Sequence, residues 1–314
     1  MNAALRRSLD DLEIVFAVGV LLGLGIVFSV SSPYFLTSAN LSNVLVQAVV
    51  LAVVSFGVTV VIIAGNFDLS VGSGVGLAAV VAGLTMIHTG STALGVLAAI
   101  GTGVGIGLVN GIVVTVFRVP SFIATLAMLV MARGIALAIT NGETVFGFPS
   151  GLADFMQGGF VGIKNSVWIA VAALAFFYVL LNHTRLGVEL YAVGGNPRAA
   201  RLSGLPVARL QTTAFVLSGL AFGVAALASI GRLNAAQPTA GTLLELFAVA
   251  AVVLGGTSLF GGEGSVVRTV VGVALISVIQ NGLTLLNINS DVQNVILGGV
   301  FILATLSGVV RRRT

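Results

Sequence analysis

Cysteine is absent from this chain, and charged side chains are scarce. Without cysteine there is no disulfide, no thiolate metal ligand and no cysteine nucleophile. Only 24 of the 314 residues carry a formal charge, and the uncharged stretches between them repeatedly run past eighteen residues. A helix needs about 20 mostly apolar residues to cross the hydrocarbon core of a bilayer. The composition therefore predicts an all-α polytopic membrane protein.

The apolar segments predict about ten transmembrane helices, which form a single membrane domain over residues 1–314. A cleaved signal peptide is disfavoured for the first segment, because Asp10, Asp11 and Glu13 interrupt its approach and no clear cleavage site follows. The segments are expected at 14–31, 43–64, 69–88, 92–117, 121–140, 166–182, 210–231, 242–257, 265–286 and 293–310.

The cations set the expected orientation of these spans. With the N-terminus in the cytoplasm, the outer connections hold only Lys164 and Arg232, while the other arginines between spans lie inside. This excess of inner arginine follows the positive-inside rule, so both termini are expected in the cytoplasm. Cations spread between apolar spans also differ from the clustered basic face of a nucleic-acid-binding protein, so no nucleic-acid partner is expected.

Residues used in catalysis and nucleotide binding are few. The two histidines, His88 and His183, fall at opposite membrane faces in this topology, and no GxxxxGK[ST] phosphate loop is present. We therefore expect no catalytic residue, no cofactor and no metal ion. Any ATP hydrolysis that drives this protein must come from a separate chain.

Two glycine-rich segments, 65–73 and 255–265, interrupt the apolar pattern. Transporters place broken helices at corresponding positions of two halves, so we predict broken or re-entrant helices at both places. An internal duplication is suggested by one leucine and three glycines that recur at a spacing of 190 residues: Gly65, Leu69, Gly72 and Gly74 match Gly255, Leu259, Gly262 and Gly264.

Four of the charged residues in or beside the predicted spans call for an explanation. Asp68 either caps a helix that begins at Leu69 or serves a pore or gate, because ionisable groups inside a membrane are costly. Arg133 needs a partner on another helix or in a wet cavity. Glu245 is expected to pair with Arg232, since both lie near the outer ends of neighbouring spans.

Two connections are long. The outer connection, 141–165, is expected to form an irregular cap or a docking surface. The inner connection, 183–209, is the most charged part of the chain and contains a predicted short helix. Asn196 suits its N-cap, Pro197 its first position, and Gly204 its left-handed end. This helix either docks on a partner through Arg198 and Arg201 or lies on membrane lipid.

Five segments of the chain, in order, resemble one known family. The segment AGNFDLSVGS looks like the GGIDLSVGS signature of the permease subunits of ribose-type ABC sugar importers, which belong to the branched-chain amino acid and sugar permease superfamily. Asn66 and Phe67 stand where Gly and Ile are usual, which leaves the identity of the substrate open. The other four are VPSFIATLAMLVMARGIAL, YAVGGNPRAARLSG, QPTAG and AVVLGGTSLFGGEGS.

The resemblance implies a permease of the cytoplasmic (inner) membrane that works with several partners. These are cytoplasmic ABC ATPase subunits, a periplasmic or lipid-anchored sugar-binding protein, and a second permease subunit, identical or related. It also implies a coupling helix to the ATPase made of Asn196, Pro197, Arg198, Ala199, Ala200, Arg201, Leu202, Ser203 and Gly204. The signature segments expected near the pathway comprise Asp68, Leu69, Ser70, Gly72, Ser73, Gly255 and Gly256.

The residues favour a neutral cargo, such as a sugar or polyol, because a pathway for charged solutes needs counter-charges within the membrane. Two alternatives stay open. A branched-chain amino acid permease of the same superfamily should lack the DLSVG segment. An ion-coupled secondary transporter could use Asp68 or Arg133 for ion coupling, but it would need no basic docking helix.

Overall fold

The structure, a computed structural model, describes the backbone of residues 3–311 and the side chains of residue 15 and of residues 17–302. The chain is mostly helical, with 76% of its residues in helices. One short antiparallel hairpin, β1 (Gly159–Phe160) and β2 (Ile163–Lys164), lies before α7. The helices are α1 (Ala3–Ser31), α2 (Ser38–Ile63), α3 (Val71–Thr89), α4 (Thr92–Thr115), α5 (Ser121–Thr140), α6 (Gly151–Gln157), α7 (Asn165–His183), α8 (Arg185–Gly195), α9 (Pro197–Leu202), α10 (Val207–Leu233), α11 (Leu244–Leu254), α12 (Val266–Leu285) and α13 (Ser290–Arg311).

Local sequence explains where several helices begin and end. The side-chain oxygens of Thr37 and Ser91 accept hydrogen bonds from the first turns of α2 and α4, as N-cap residues do. At the other ends, Gly90, Asn141 and Asn234 adopt the left-handed conformation after α3, α5 and α10. Glycine and asparagine tolerate that conformation best, so these helices stop there.

Within the residues that the structure describes, seven helices are long and apolar enough to cross a membrane: α2, α3, α4, α5, α7, α10 and α12. The described parts of α1, α11 and α13 contain shorter apolar helices. All ten predicted segments are thus helical, but a count of ten spans is not confirmed. Helix α11, with 11 residues, extends only about 16 Å, which is roughly half the hydrocarbon thickness.

Helices α2, α3 and α10 form the centre of the bundle. In the most apolar 18-residue stretch of each, 72%, 72% and 78% of the residues are buried, whereas the share is 22% for α5 and for α7. Helix α10 packs closely on α4 through small residues. A methyl group added to Gly103 would collide with the carbonyl oxygen of Gly219. Small residues let membrane helices approach at the backbone, so the expected role of the many glycines holds at this contact.

The two long connections contain more regular structure than the sequence indicated. The connection 141–165 includes α6 and the β1–β2 hairpin, and Val145 pairs with Ala236 beyond the end of α10. The inner connection contains α8 as well as the predicted short helix α9. Since α7 separates the two connections, they lie at opposite ends of that helix.

Candidate functional site

Asp68 lies in the irregular segment between α2 and α3 and is fully buried. Its Oδ1 accepts hydrogen bonds from the Ser70 amide (3.1 Å) and the Ser70 hydroxyl (2.6 Å), and its Oδ2 accepts one from the Ser218 hydroxyl of α10 (2.8 Å). The side-chain amide of Asn110, on α4, donates to Ser70 Oγ at 2.8 Å. The carboxylate therefore ties the start of α3 to α4 and α10.

This geometry corrects the expected N-cap. Helix α3 begins at Val71, so Ser70 occupies the N-cap position. Asp68 lies two residues before it and accepts a hydrogen bond from the Ser70 amide. No part of Asp68 is exposed in this conformation. The remaining signature residues of this segment surround it: Ser70, Gly72 and Ser73 are buried, and Leu69 is partly buried.

The second glycine-rich segment ends α11 and reaches back to the first. Gly255 is buried at the end of α11, and Gly256 adopts a φ of 80° immediately after it. Further along, the Gly262 amide donates a 2.9 Å hydrogen bond to the carbonyl oxygen of Ile63, the last residue of α2. A methyl group added to Gly261 would lie 2.8 Å from the Cα of Gly65. The two segments that resemble each other in sequence are thus in direct contact.

The end of α8 enters the same contact. A methyl group added to Gly194 would collide with the Ile63 carbonyl oxygen and lie 2.7 Å from the Gly262 amide nitrogen. We call the set 63–65, 194–195 and 261–262 the glycine junction. Three backbones meet there without intervening side chains, because side chains would not fit.

The glycine junction lies directly before α9. Asn196 follows Gly195 and caps α9, with its Oδ1 accepting the amides of Arg198 (3.1 Å) and Ala199 (3.0 Å). Pro197 takes the first helical position, and Gly204 adopts a φ of 84° beyond the end. The short helix therefore forms as its sequence predicts.

Helix α9 presents an exposed face. Ala200 is buried against the bundle, whereas Arg198 and Arg201 are exposed and Leu202 is 91% exposed. Phe260, two residues before Gly262 of the junction, is 77% exposed. Such exposed apolar side chains beside cations are typical of a surface that contacts another protein.

Tyr191 of α8 forms a further link to the second glycine-rich segment. Its hydroxyl donates to the Gly264 carbonyl oxygen at 2.8 Å. Burial raises the pKa of the Tyr191 phenol above its ordinary value, with Arg268 opposing the effect, so the hydroxyl keeps its proton at neutral pH.

Arg133 of α5 finds its partners on the segment between α10 and α11. Its guanidinium donates to the carbonyl oxygens of Pro238 (2.5 Å) and Ala240 (3.0 Å). Its charge also interacts with Glu245. The expected pair of Glu245 with Arg232 is wrong, because no ion pair joins them among the described side chains and Glu245 lies towards α3 and Arg133 instead.

The structure therefore brings the two signature segments together with the end of α8 and places the nine residues expected to form a coupling helix immediately beside them. Sequence reasoning missed Ser218, Asn110 and Gly194. Ser218 and Asn110 stand out in the sequence as polar residues within apolar spans, but the sequence does not show which residues they bind. Within the described part of the chain, no group of three or more His, Asp or Glu residues could hold a metal ion.

The bundle of long apolar helices defines a multi-pass membrane protein. A family profile described as "Branched-chain amino acid transport system / permease component" matches residues 40–305, and the chain belongs to this family. No solved structure matches the chain.

The curated relatives that cover most of the chain include three sugar permeases. The ribose import permease protein RbsC of Escherichia coli K12 is 42% identical over 285 residues, which are 89% of this chain and 88% of the relative. The galactose/methyl galactoside import permease protein MglC of Salmonella typhimurium LT2 is 37% identical, with 91% and 90% covered. The L-arabinose ABC transporter permease protein AraH of Azospirillum brasilense is 36% identical, with 94% and 87% covered.

Proposed function

We propose that this chain is the transmembrane permease subunit of an ABC importer that carries a neutral sugar or polyol across the cytoplasmic membrane. The observation that carries the proposal is the similarity, over about nine tenths of both chains, to permeases named for ribose, galactose and arabinose. Charge distribution supports a neutral cargo. Arg133 is engaged by backbone carbonyls and Asp68 by hydroxyl and amide donors, so neither is free to serve as a counter-charge.

Branched-chain amino acid transport, which the family description names, is the first alternative. The DLSVG segment favours a sugar, as do the names of the relatives. Ion-coupled transport is the second alternative, and the exposed basic helix α9 disfavours it, because an ion-driven transporter needs no ATPase docking surface.

The proposal is tested by measuring solute uptake in cells that express the partner subunits, with and without this chain. We expect ATP-dependent uptake of a labelled pentose, hexose or polyol and no uptake of leucine. If uptake falls when a protonophore collapses the ion gradient while ATP is held constant, the proposal of ABC transport is overturned. Uptake of leucine but of no sugar would select the amino acid alternative.

The proposed partners are cytoplasmic ATPase subunits, a sugar-binding protein outside the membrane and a second permease subunit. The docking surface for the ATPase comprises Arg198, Arg201, Leu202 and Phe260, supported by their exposure and by the position of Phe260 beside the glycine junction. Movement of the ATPase would pass from α9 through that junction to both signature segments. We expect the purified chain alone to hydrolyse no ATP.

The proposed arrangement has ten spans with both termini in the cytoplasm. Seven come from the long apolar helices, and α1, α11 and α13 supply the other three. The short α11 can reach both surfaces only together with the irregular segments at its ends. The orientation is supported by the arginine-rich connection that contains α8 and α9, which belongs inside by the positive-inside rule.

A further inference from the structure

The β1–β2 hairpin has an apolar surface that the described part of the chain leaves uncovered. Residues 159–163 are all glycine or apolar, and Lys164 at the end of β2 is the first polar side chain. Phe160 is 67% exposed, Val161 is 76% exposed, and Ile163 is exposed as well. An exposed apolar patch of this kind marks a surface that contacts something other than water.

The turn of the hairpin contains a residue that the backbone alone does not favour. Val161 has a φ of 53° and Gly162 a φ of 74°, so both turn residues are left-handed. Two-residue turns of this form prefer Asn, Asp or Gly, and a β-branched residue is disfavoured in them. Valine at the tip thus lowers the stability of the turn, and what it supplies there is an exposed apolar side chain.

The hairpin lies against the first turn of α7. The Trp168 indole N–H donates to the Phe160 carbonyl oxygen at 3.3 Å, and the two rings meet edge to face with their centroids 6.3 Å apart. Trp168 is the fourth residue of α7, which is long and apolar enough to cross a membrane. The hairpin therefore lies at the depth where this helix would enter the bilayer.

The exposed surface of the hairpin continues into an exposed apolar stripe on α7. Trp168, Val171, Ala175 and Val179 are exposed, and their spacing of three or four residues places them on one face of the helix. Tryptophan at the start of such a face is typical of the boundary between lipid and water. From residue 155 to residue 182 only Lys164 carries a formal charge, so hairpin and helix share one apolar surface.

We propose that the β1–β2 hairpin docks on the lipid leaflet where α7 begins, which is the outer leaflet in the proposed orientation. Phe160, Val161 and Ile163 lie at the boundary between headgroups and acyl chains, as interfacial membrane segments do. The hairpin stays at this depth because the unpaired backbone groups at its edges would have no partners in the hydrocarbon core. The proposal rests on α7 crossing the membrane, as in the proposed arrangement of spans, and not on the transported solute.

The docked hairpin would anchor the connection that packs on the end of α10. The side-chain amide of Gln157, the last residue of α6, donates to the Gly231 carbonyl oxygen at 3.1 Å. The Lys164 ammonium, at the end of the hairpin, donates to the Gln157 carbonyl oxygen at 2.6 Å. Lipid on one side and α10 on the other therefore hold α6 in place.

Single cysteines test the proposal, because the chain has no cysteine of its own. Val161→Cys, Ser150→Cys and Ala175→Cys each replace an exposed residue. Each variant is labelled with the fluorophore nitrobenzoxadiazole in the full chain, purified into phosphatidylcholine nanodiscs. Quenching is measured with iodide in the water and with phosphatidylcholine that carries a spin label either near the headgroup or near the end of the acyl chain.

We expect iodide to be excluded from the Val161 label, and the spin label near the headgroup to quench it more than the deep spin label does. The Ser150 label is the aqueous control. It belongs to the same connection, but its native side chain bonds the Asp154 carboxylate, so iodide should quench it and lipid should not. The Ala175 label, about 15 Å along α7 from Asn165, is the membrane control and should respond most to the deep spin label.

A Val161 label that spin-labelled lipid does not quench overturns the proposal. If the Ala175 label is still quenched by lipid, α7 stands as a span and the hairpin alone fails; if it is not, the arrangement of α7 fails as well. Exclusion of both iodide and lipid from the Val161 label would mean that another subunit covers the hairpin. Iodide quenching that disappears only when the sugar-binding protein is added would assign the surface to that protein.

A matched pair of variants tests the apolar side chains themselves. In the Val161→Cys background, Phe160→Asn should shift quenching of the label from lipid towards iodide, because the hairpin loses its largest apolar side chain. Phe146→Asn makes the same change at another exposed phenylalanine of the connection, outside the hairpin, and should leave the quenching as it was. Equal quenching in the two variants would overturn lipid contact through Phe160.

Discussion

Asp68 shows how a single buried carboxyl group can link three helices. Its two oxygens accept from Ser70 and Ser218, and Ser70 in turn accepts from Asn110. The residue type is visible in the sequence, but Ser218 lies 150 residues away. No local pattern could have selected Ser218 among the many serines and threonines of the spans.

The first prediction concerns the stability contributed by Asp68. Asp68→Ala should lower the free energy of unfolding by about 2–4 kcal/mol, because several buried donors lose their acceptor. Asp68→Asn keeps one carbonyl oxygen and should cost less. Denaturant unfolding in detergent measures both. If Asp68→Ala leaves the free energy of unfolding unchanged and only transport fails, the carboxylate serves the pathway and its structural role is minor.

The second prediction concerns the glycine junction. Gly194→Ala should lower the free energy of unfolding by about 1–3 kcal/mol, because its methyl group would press on the Ile63 carbonyl oxygen and force the backbones apart. Gly105→Ala is the matched control, since a methyl group there meets nothing within 4 Å and should stabilise α4 by roughly 0.5–1 kcal/mol. Thermal unfolding of both variants tests this, and equal midpoints would contradict the close contact.

At the scale of helices, sequence reasoning succeeded where local chemistry decides. Asn196, Pro197 and Gly204 set the beginning and end of α9 by capping and by backbone preference. Sequence reasoning did not predict α8, because the three glycines of this helix lower its helix propensity: Gly187, Gly194 and Gly195. Gly187 and Gly194 lie where α8 approaches the backbones of α7 and α2, so packing overrides propensity there.

The third prediction concerns α9 as the coupling element. Ala199→Gly, at an exposed position, should weaken the helix by about 1 kcal/mol. Ala200→Gly should act more strongly, because this methyl group is buried against the bundle. Both should reduce sugar-stimulated ATP hydrolysis by the assembled transporter while the chain stays inserted. Unchanged stimulation in both variants would remove α9 from the coupling path.

The arginines of α9 are tested separately from its fold. Arg198→Glu/Arg201→Glu should reduce co-purification with the ATPase, whereas Arg118→Glu/Arg209→Glu makes the same change of charge at exposed residues outside α9 and should not. Full assembly of the α9 variant would mean that these arginines only orient the chain in the membrane.

At the scale of the whole chain, the absence of native cysteine makes the orientation directly measurable. The fourth prediction is that a cysteine at Ser203 reacts with membrane-impermeant thiol reagents only from the cytoplasmic side, and one at Ser150 only from outside. Both positions are exposed, and α7 separates them. Labelling from the reversed sides would overturn the orientation and the docking surface together.

The class of protein and the positions of its apolar helices were predictable because hydrophobic length and periodicity are local properties. The contacts between helices were not. Arg133 illustrates the limit, because its partners are two backbone carbonyls of the segment after α10, which have no side-chain signature. The same holds for Glu245, which neighbours Arg133 instead of the expected Arg232.

The buried polar pairs also set an order in time for biosynthesis. Asn40 of α2 and Asn281 of α12 exchange two side-chain hydrogen bonds of 2.9 Å across 241 residues of chain. A ribosome adds about 5–20 residues per second, so Asn40 waits roughly 10–50 s for its partner to be made. Thr59 waits similarly for Thr269. Before the late helices arrive, Asn40 keeps only its hydrogen bond to the Phe35 carbonyl oxygen, and Thr59 keeps only its bond to the Ser55 carbonyl oxygen. We therefore expect α2 to enter the lipid together with the late helices that complete these pairs.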